Sequence, residues 1–229
     1  MRFNGMRLII GFCLLLFALG TSHADTGYPE RVQAIAAERE AWAQKWQQSP
    51  SPQQRKEIET DLISSIEELT NYWLGTRWAL GAPQTTTPQE GKVNCGTFVG
   101  RVLYDAGFRV HVKKLQRQPS QLIIKSFVGA ARTRKFHNAS MERFLSSVRE
   151  MGPGLFIIGL DFHVGLLLQT SDDLRFIHAS FETETVVNED AATAMPITTS
   201  AYKVVGKIIT PGNIQSWLRG NTIRVQGKW

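Results

Sequence analysis

The stretch Asn94-Cys95-Gly96-Thr97-Phe98-Val99-Gly100-Arg101-Val102-Leu103-Tyr104-Asp105-Ala106-Gly107 decides how this chain is read. Phe98, Val99, Val102, Leu103 and Ala106 recur at helical spacing, so the segment is a helix with an apolar face, and Gly107 is its natural stop. Cys95 opens that helix. A thiol there faces the positive end of the helix dipole and the unpaired N–H groups of the first turn, and both favour thiolate. Two histidines follow in strand-like runs, Asp161-Phe162-His163-Val164-Gly165-Leu166 and Arg175-Phe176-Ile177-His178-Ala179-Ser180. A cysteine nucleophile needs a base able to share its proton, and that base needs a third group to hold its tautomer. Cys95, His163 and His178 supply the three residue types, with His163 as base and His178 as orienting group. The interval between the histidines spans a hairpin turning at Asp172-Asp173. Two strands lying side by side could then present both imidazoles on the face that meets the Cys95 helix.

Residues 1–24 read as an export signal. Arg2 and Arg7 form the charged start, residues 8–19 are an apolar run, and Ser22-His23-Ala24 offers small residues for cleavage after Ala24. The run is too short to span a membrane comfortably, and polar sequence follows it, so stable membrane insertion is not expected. Phe12 precedes Cys13 where a lipid anchor would want a small residue. Removing the leader takes the formal charge from +6 to +4 and leaves Cys95 with no intramolecular partner. A single free thiol is unusual in an oxidising export compartment; a buried cysteine acting as a small hydrophobe is one explanation, but a helix start beside Gly96 and Thr97 is a poor place for the deep core.

Downstream of the leader, Tyr28 to Trp46 reads as a helix, Ser49-Pro50-Ser51-Pro52 breaks it, and a second helix from about Gln53 carries Ile58, Leu62, Ile66, Leu69 and Trp73. Residues 25–74 thus form an N-terminal helical extension, a hairpin packed on a catalytic domain spanning 75–229. Gly75 to Asn94 reads as loop. Residues 108–139 carry no clear periodicity and hold Arg109, Lys113, Lys114, Arg117, Lys125, Arg132, Arg134 and Lys135 without one acid. Ser140 caps a further helix, and strands are expected over 155–158, 163–169, 174–179 and 202–209, with a short addition at 183–187. Helices first and an antiparallel sheet afterwards give an α+β class.

These blocks resemble the NlpC-type family of papain-like cell-wall cysteine peptidases. In that family an Asp-Cys-Ser motif opens the nucleophile helix, His-Val-Gly-Ile opens a strand, and a third polar residue lies on the next strand. Here Asn94-Cys95-Gly96, His163-Val164-Gly165-Leu166 and Phe176-Ile177-His178-Ala179-Ser180 stand in those places, and Gly75-Thr76-Arg77-Trp78-Ala79-Leu80-Gly81 is similar to the family's Gly-Thr-Pro-Tyr-x-Trp-Gly run. The similarity covers roughly residues 72–209 as ordered blocks. Asn94 and Gly96 replace the usual Asp and Ser, and Trp78 replaces a tyrosine whose hydroxyl lies near the nucleophile. The resemblance implies a papain-like fold, the nucleophile helix packed on an antiparallel sheet, and no cofactor. It also implies hydrolysis of a peptidoglycan stem-peptide amide, first of all the one between D-glutamate and the diamino acid, with other amides, including the one joining muramic acid to L-alanine, left open. Trp78, Asn94 and Gly96 then lie beside the substrate.

Two other chemistries compete for the same residues. A Cys-His-His zinc site would need a further ligand, and the short paired spacings of zinc sites are missing, so no metal is expected. His111 and His137 sit among basic residues and read as solvated surface. Export argues against nucleic acid as the partner of the basic stretch, whereas a wall rich in carboxylates would attract it. A different thiol amidase or acyltransferase on the same fold, and an inactive wall-binding module, remain as alternatives.

Overall fold

A computed structural model describes residues 27–46, 51–129 and 132–228. The leader, residues 1–24, lies outside them. Helix α1 (Tyr28–Trp46) and helix α2 (Pro52–Trp73) form an N-terminal pair. Ser51 sets the start of α2: its side chain accepts from the Gln54 N–H, the Gln54 side chain accepts from the Ser51 N–H, and Pro52 occupies the first turn. That reciprocal arrangement satisfies two otherwise unpaired donors, and proline loses nothing where no N–H partner exists.

The region expected to be loop holds two short parallel strands, β1 (Arg77–Trp78) and β2 (Lys92–Val93). Helix α3 (Cys95–Asp105) follows, closed by Gly107 at φ +92°. The aperiodic region 108–139 folds as β3 (Arg109–Val110), α4 (Val112–Leu115), α5 (Ser120–Val128) and β4 (Thr133–His137). Beyond it come α6 (Met141–Arg149), β5 (Gly154–Leu160), β6 (Val164–Gln169), β7 (Leu174–Ala179), β8 (Val186–Asp190), α7 (Met195–Thr199), β9 (Tyr202–Lys207), α8 (Pro211–Leu218) and β10 (Thr222–Ile223).

Six strands make one sheet in the order β4-β9-β5-β6-β7-β8, antiparallel throughout. The class is therefore mixed α and β with an antiparallel sheet, as the order of elements implied. Strand β4 escaped the sequence reading because it is an edge strand with only Phe136 buried. Arg134 and Lys135 on that edge discourage pairing with another chain.

Each face of the sheet has its own core. On one face Val164, Leu166, Leu168, Ile177 and Ala179 pack with Phe98, Val99, Val102 and Leu103 of α3. The same cluster takes in Ile35 of α1 and Ile58, Leu62, Ile66, Leu69 and Trp73 of α2. On the other face Leu167, Leu174 and Phe176 pack with Phe144 and Val148 of α6. Period-2 alternation along β6 and β7 divides these residues between the two layers.

Helix α3 is held at both ends. At its C-terminus, Tyr28 Oη donates to Asp105 Oδ2 at 2.6 Å, Arg101 Nη2 donates to both Asp105 oxygens at 2.7 and 2.8 Å, and Trp73 Nε1 donates to Tyr28 Oη at 3.1 Å. Trp217 Nε1 of α8 donates to the Ala106 carbonyl at 2.7 Å, satisfying an acceptor that the helix end leaves open. Burial pushes the Asp105 carboxyl up, and the Tyr28 and Arg101 contacts oppose that shift.

Candidate active site

The N-terminus of α3 opens onto a cleft of about 810 Å³ at one end of the sheet. Strand β5 ends there, β6 begins, β7 ends and β9 begins, which brings Leu160, His163, Phe181 and Tyr202 to one mouth. Cys95, Asn94, Gly96, Trp78 and His163 all line it. None of the lining residues comes from α1 or α2.

Each residue is placed by local chemistry. Asn94 is the cap of α3: its Oδ1 accepts from the Thr97 N–H at 2.9 Å and its Nδ2 donates to the Leu80 carbonyl at 3.0 Å. One side chain therefore starts the Cys95 helix and anchors the 79–81 loop that forms a cleft wall. Gly96 is a close-approach position, because a Cβ there would lie 2.9 Å from the Gln116 carbonyl oxygen. That approach, together with the Thr97 Oγ1 bond to Gln116 Oε1, brings the 116–119 segment alongside the start of α3. Trp78 is fixed by its N–H donating to the Glu184 carbonyl at 2.8 Å, and its ring centroid lies 6.4 Å from that of Phe181.

His163 Nε2 and His178 Nδ1 are 2.8 Å apart. Register makes the pair: Gly165 on β6 has no side chain where its Cβ would meet Phe176 and His178, so the β7 rings pack close against β6. The Phe176 ring stacks on His178 at 4.1 Å and 15°. His178 therefore shares the Phe176 face of the sheet, opposite the face that α3 covers. This corrects the expectation that both imidazoles sit on the helix face. Cys95 and His163 line the same cleft at the start of β6, where the backbone of Val164, the residue after His163, acts on the Cys95 thiol. Glu189 extends the pair, with Oε1 2.9 Å from His178 Nε2. The sequence reading missed it because it ended the last strand of this group at 187, two residues short.

Burial raises the Cys95 thiol above its ordinary value, while the N–H groups of Val164, Gly96 and Cys95 itself oppose the rise. Burial also lowers His163 and His178, each to about 3; at His163 the His178 ring adds to the lowering and Glu182 opposes it. The resting site is thus a neutral thiol beside neutral imidazoles.

Burying the two rings links stability to pH. Unfolded histidines titrate near 6.5, so between that pH and the lower folded values the unfolded chain binds more protons than the folded one. Stability is fully present above about pH 6.5 and is lost as the pH falls. Well below pH 6.5, each further pH unit costs about 1.4 kcal/mol for each histidine kept neutral by the fold. We therefore expect urea unfolding to show a loss of about 3 kcal/mol between pH 6.5 and 5. Asp105 and Glu189, pushed up by burial, act in the opposite sense at lower pH. A profile that stays level from pH 7 to 5 would contradict buried neutral histidines.

Among the described residues, no group of three or more His, Cys, Asp or Glu side chains is placed to hold a metal ion. Among the same residues, no helix is long and apolar enough to cross a membrane.

No family model matches the chain, and no curated protein matches it. Among solved structures, the chain is similar to an N-acetylmuramoyl-L-alanine amidase from Bacteroides uniformis ATCC 8492, seen in crystal structures at 1.15 and 1.07 Å resolution. Identity is 11% and 12%, with 66% of this chain and 99% of the amidase covered in each case. The TM-scores are 0.38 and 0.37.

Proposed function

We propose that the protein is an exported thiol hydrolase of papain-like fold that cleaves an amide bond in the peptide part of peptidoglycan. The observation that supports this reading best is the cleft lined both by the helix-opening Cys95 and by His163, whose ring is hydrogen-bonded to His178. In the reaction, Cys95 Sγ attacks the amide carbonyl while His163 accepts the thiol proton. A negative oxygen then forms within reach of the backbone N–H groups at the start of α3. His163 returns the proton to the departing amine as the C–N bond breaks, leaving a thioester on Cys95. Water, deprotonated by His163, attacks the thioester and releases a carboxylate, and the proton passes back to the thiol. His178 holds the His163 ring in place throughout.

The rest of the cleft suits an amphipathic peptide that carries carboxylates. Arg117 and Asp161 are its charged lining residues. Asp161 is engaged by the Ala201 and Tyr202 N–H groups at 2.7 and 3.0 Å, whereas Arg117 is exposed and makes no hydrogen bond or ion pair among the described residues. By its resemblance to the NlpC-type family, the bond cleaved is the one between D-glutamate and the diamino acid. A second reading, an acyltransferase or another amidase on this fold, is favoured by the apolar rim. Phe162 is 97% and Leu80 80% exposed, and both line the cleft, a costly display unless a partner covers them.

The test is incubation of purified sacculi with the mature protein and with Cys95→Ala, followed by mass analysis of soluble products. Peptide fragments from the wild type alone, with masses that name the bond, are the expected outcome. Equal silence from both proteins on sacculi and on isolated muropeptides would remove peptidoglycan as the substrate.

A further inference from the structure

We propose that Glu189 is a positioning residue whose carboxylate sets the tautomers of both site histidines, so that His163 Nδ1 is the atom that takes the Cys95 proton. The proposal rests on Cys95 and His163 being nucleophile and base. It begins from sheet register. In the β7–β8 pair, His178 lies opposite Val187 and Phe176 lies opposite Glu189. Glu189 is thus the diagonal neighbour of His178 on the same face, within reach of a long side chain. Both nitrogens of the buried His178 ring are engaged, Nδ1 with His163 Nε2 at 2.8 Å and Nε2 with Glu189 Oε1 at 2.9 Å.

A neutral imidazole has one donor and one acceptor, and an ionised carboxylate only accepts. His178 must therefore donate from Nε2 to Glu189, which leaves its Nδ1 as an acceptor. His163 must then donate from Nε2, so its Nδ1 carries the free lone pair. One acceptor at the far end of the chain determines both rings. Without it, His178 can donate from Nδ1 into His163 Nε2, and His163 then carries a proton on Nδ1 and cannot accept one from sulfur. The stacked Phe176 ring holds the plane of His178 in which this relay works.

The carboxylate has a second effect. Once His163 is protonated, its Nε2 proton can move to His178 Nδ1, which puts the positive charge beside Glu189. The other charged groups facing the relay are Arg175 on β7, which acts on Glu189, and Glu182 after β7, which acts on His163. The Glu189 side chain is 36% exposed, so its replacement leaves the core intact.

The experiment is nitrogen NMR of histidine-labelled full-length protein, wild type and Glu189→Gln, near pH 7, paired with kcat and KM on released muropeptides. Glutamine keeps the shape but can donate as well as accept, so it no longer dictates direction. In the wild type both rings are expected to hold their proton on Nε2. In Glu189→Gln a population protonated on Nδ1 appears, and kcat falls by about 10- to 100-fold with KM within about twofold. Rings that stay on Nε2 in Glu189→Gln would overturn the relay, whatever the substrate proves to be. Rings that respond while the wild type cuts no peptidoglycan would support the relay and reject the substrate reading instead.

Discussion

Replacing His163 with alanine is expected to lower kcat/KM for amide cleavage at neutral pH by about 10³- to 10⁴-fold. The magnitude follows from the state of the nucleophile. Burial pushes the Cys95 thiol up, so attack depends on proton transfer to His163. Without the ring, only the small thiolate fraction reacts, and that fraction rises about tenfold per pH unit below the thiol's own pKa. The residual rate of His163→Ala should therefore climb between pH 7 and 9 while the wild type changes little. Rates at those two pH values, with circular dichroism to show that the fold persists, check the expectation. A loss under tenfold would mean that some other group takes the thiol proton.

The second large effect is on stability. Trp73, fully buried at the end of α2, meets Tyr28 edge-on at 6.0 Å and Phe98 of the nucleophile helix edge-on at 6.1 Å. Trp73→Ala would open a cavity in the cluster shared by α1, α2, α3 and the sheet and would free the Tyr28 hydroxyl of one partner. The expected cost is about 3–5 kcal/mol, which lowers the unfolding temperature by roughly 10 °C in a chain of this size. The transition should remain single, because the pair of helices belongs to the same core as the nucleophile helix. Thermal melts followed by far-ultraviolet and tryptophan signals decide this. Two separate transitions, or a shift under about 2 °C, would show that residues 28–74 fold independently of the site. α1 and α2 meet α3 along its length, Tyr28 at Asp105 and Trp73 at Phe98, and contribute no residue to the lining of the cleft.

The local structure around Cys95, His163 and His178 was legible in the sequence. Asn94 and Cys95 could be placed at a helix start because capping and 3.6-residue periodicity act within a few residues. The histidine hairpin was legible for the same reason, as alternation plus a turn. What could not be read was whatever depends on register between strands. His178 takes its face from pairing with β6 and β8, and Glu189 becomes its neighbour only through the β7–β8 diagonal. Strand β4 and the 116–119 segment were missed because each meets the core through few side chains. Gly96 shows the limit well: the sequence has a glycine after the nucleophile, but only the fold supplies the Gln116 carbonyl that excludes a Cβ.

By itself, then, the sequence determined the α+β order of elements, the helix that carries Cys95, the strand that His163 leads into and the strand that carries His178. Those are consequences of short-range periodicity, turn chemistry and capping. The tertiary structure alone decided that His163 and Cys95 line one cleft, that a carboxylate ends the chain of the two imidazoles, and that the N-terminal helices share the core of the Cys95 helix. Each of those depends on contacts between residues far apart in the chain, where hydrophobic burial and backbone pairing act without regard to sequence distance.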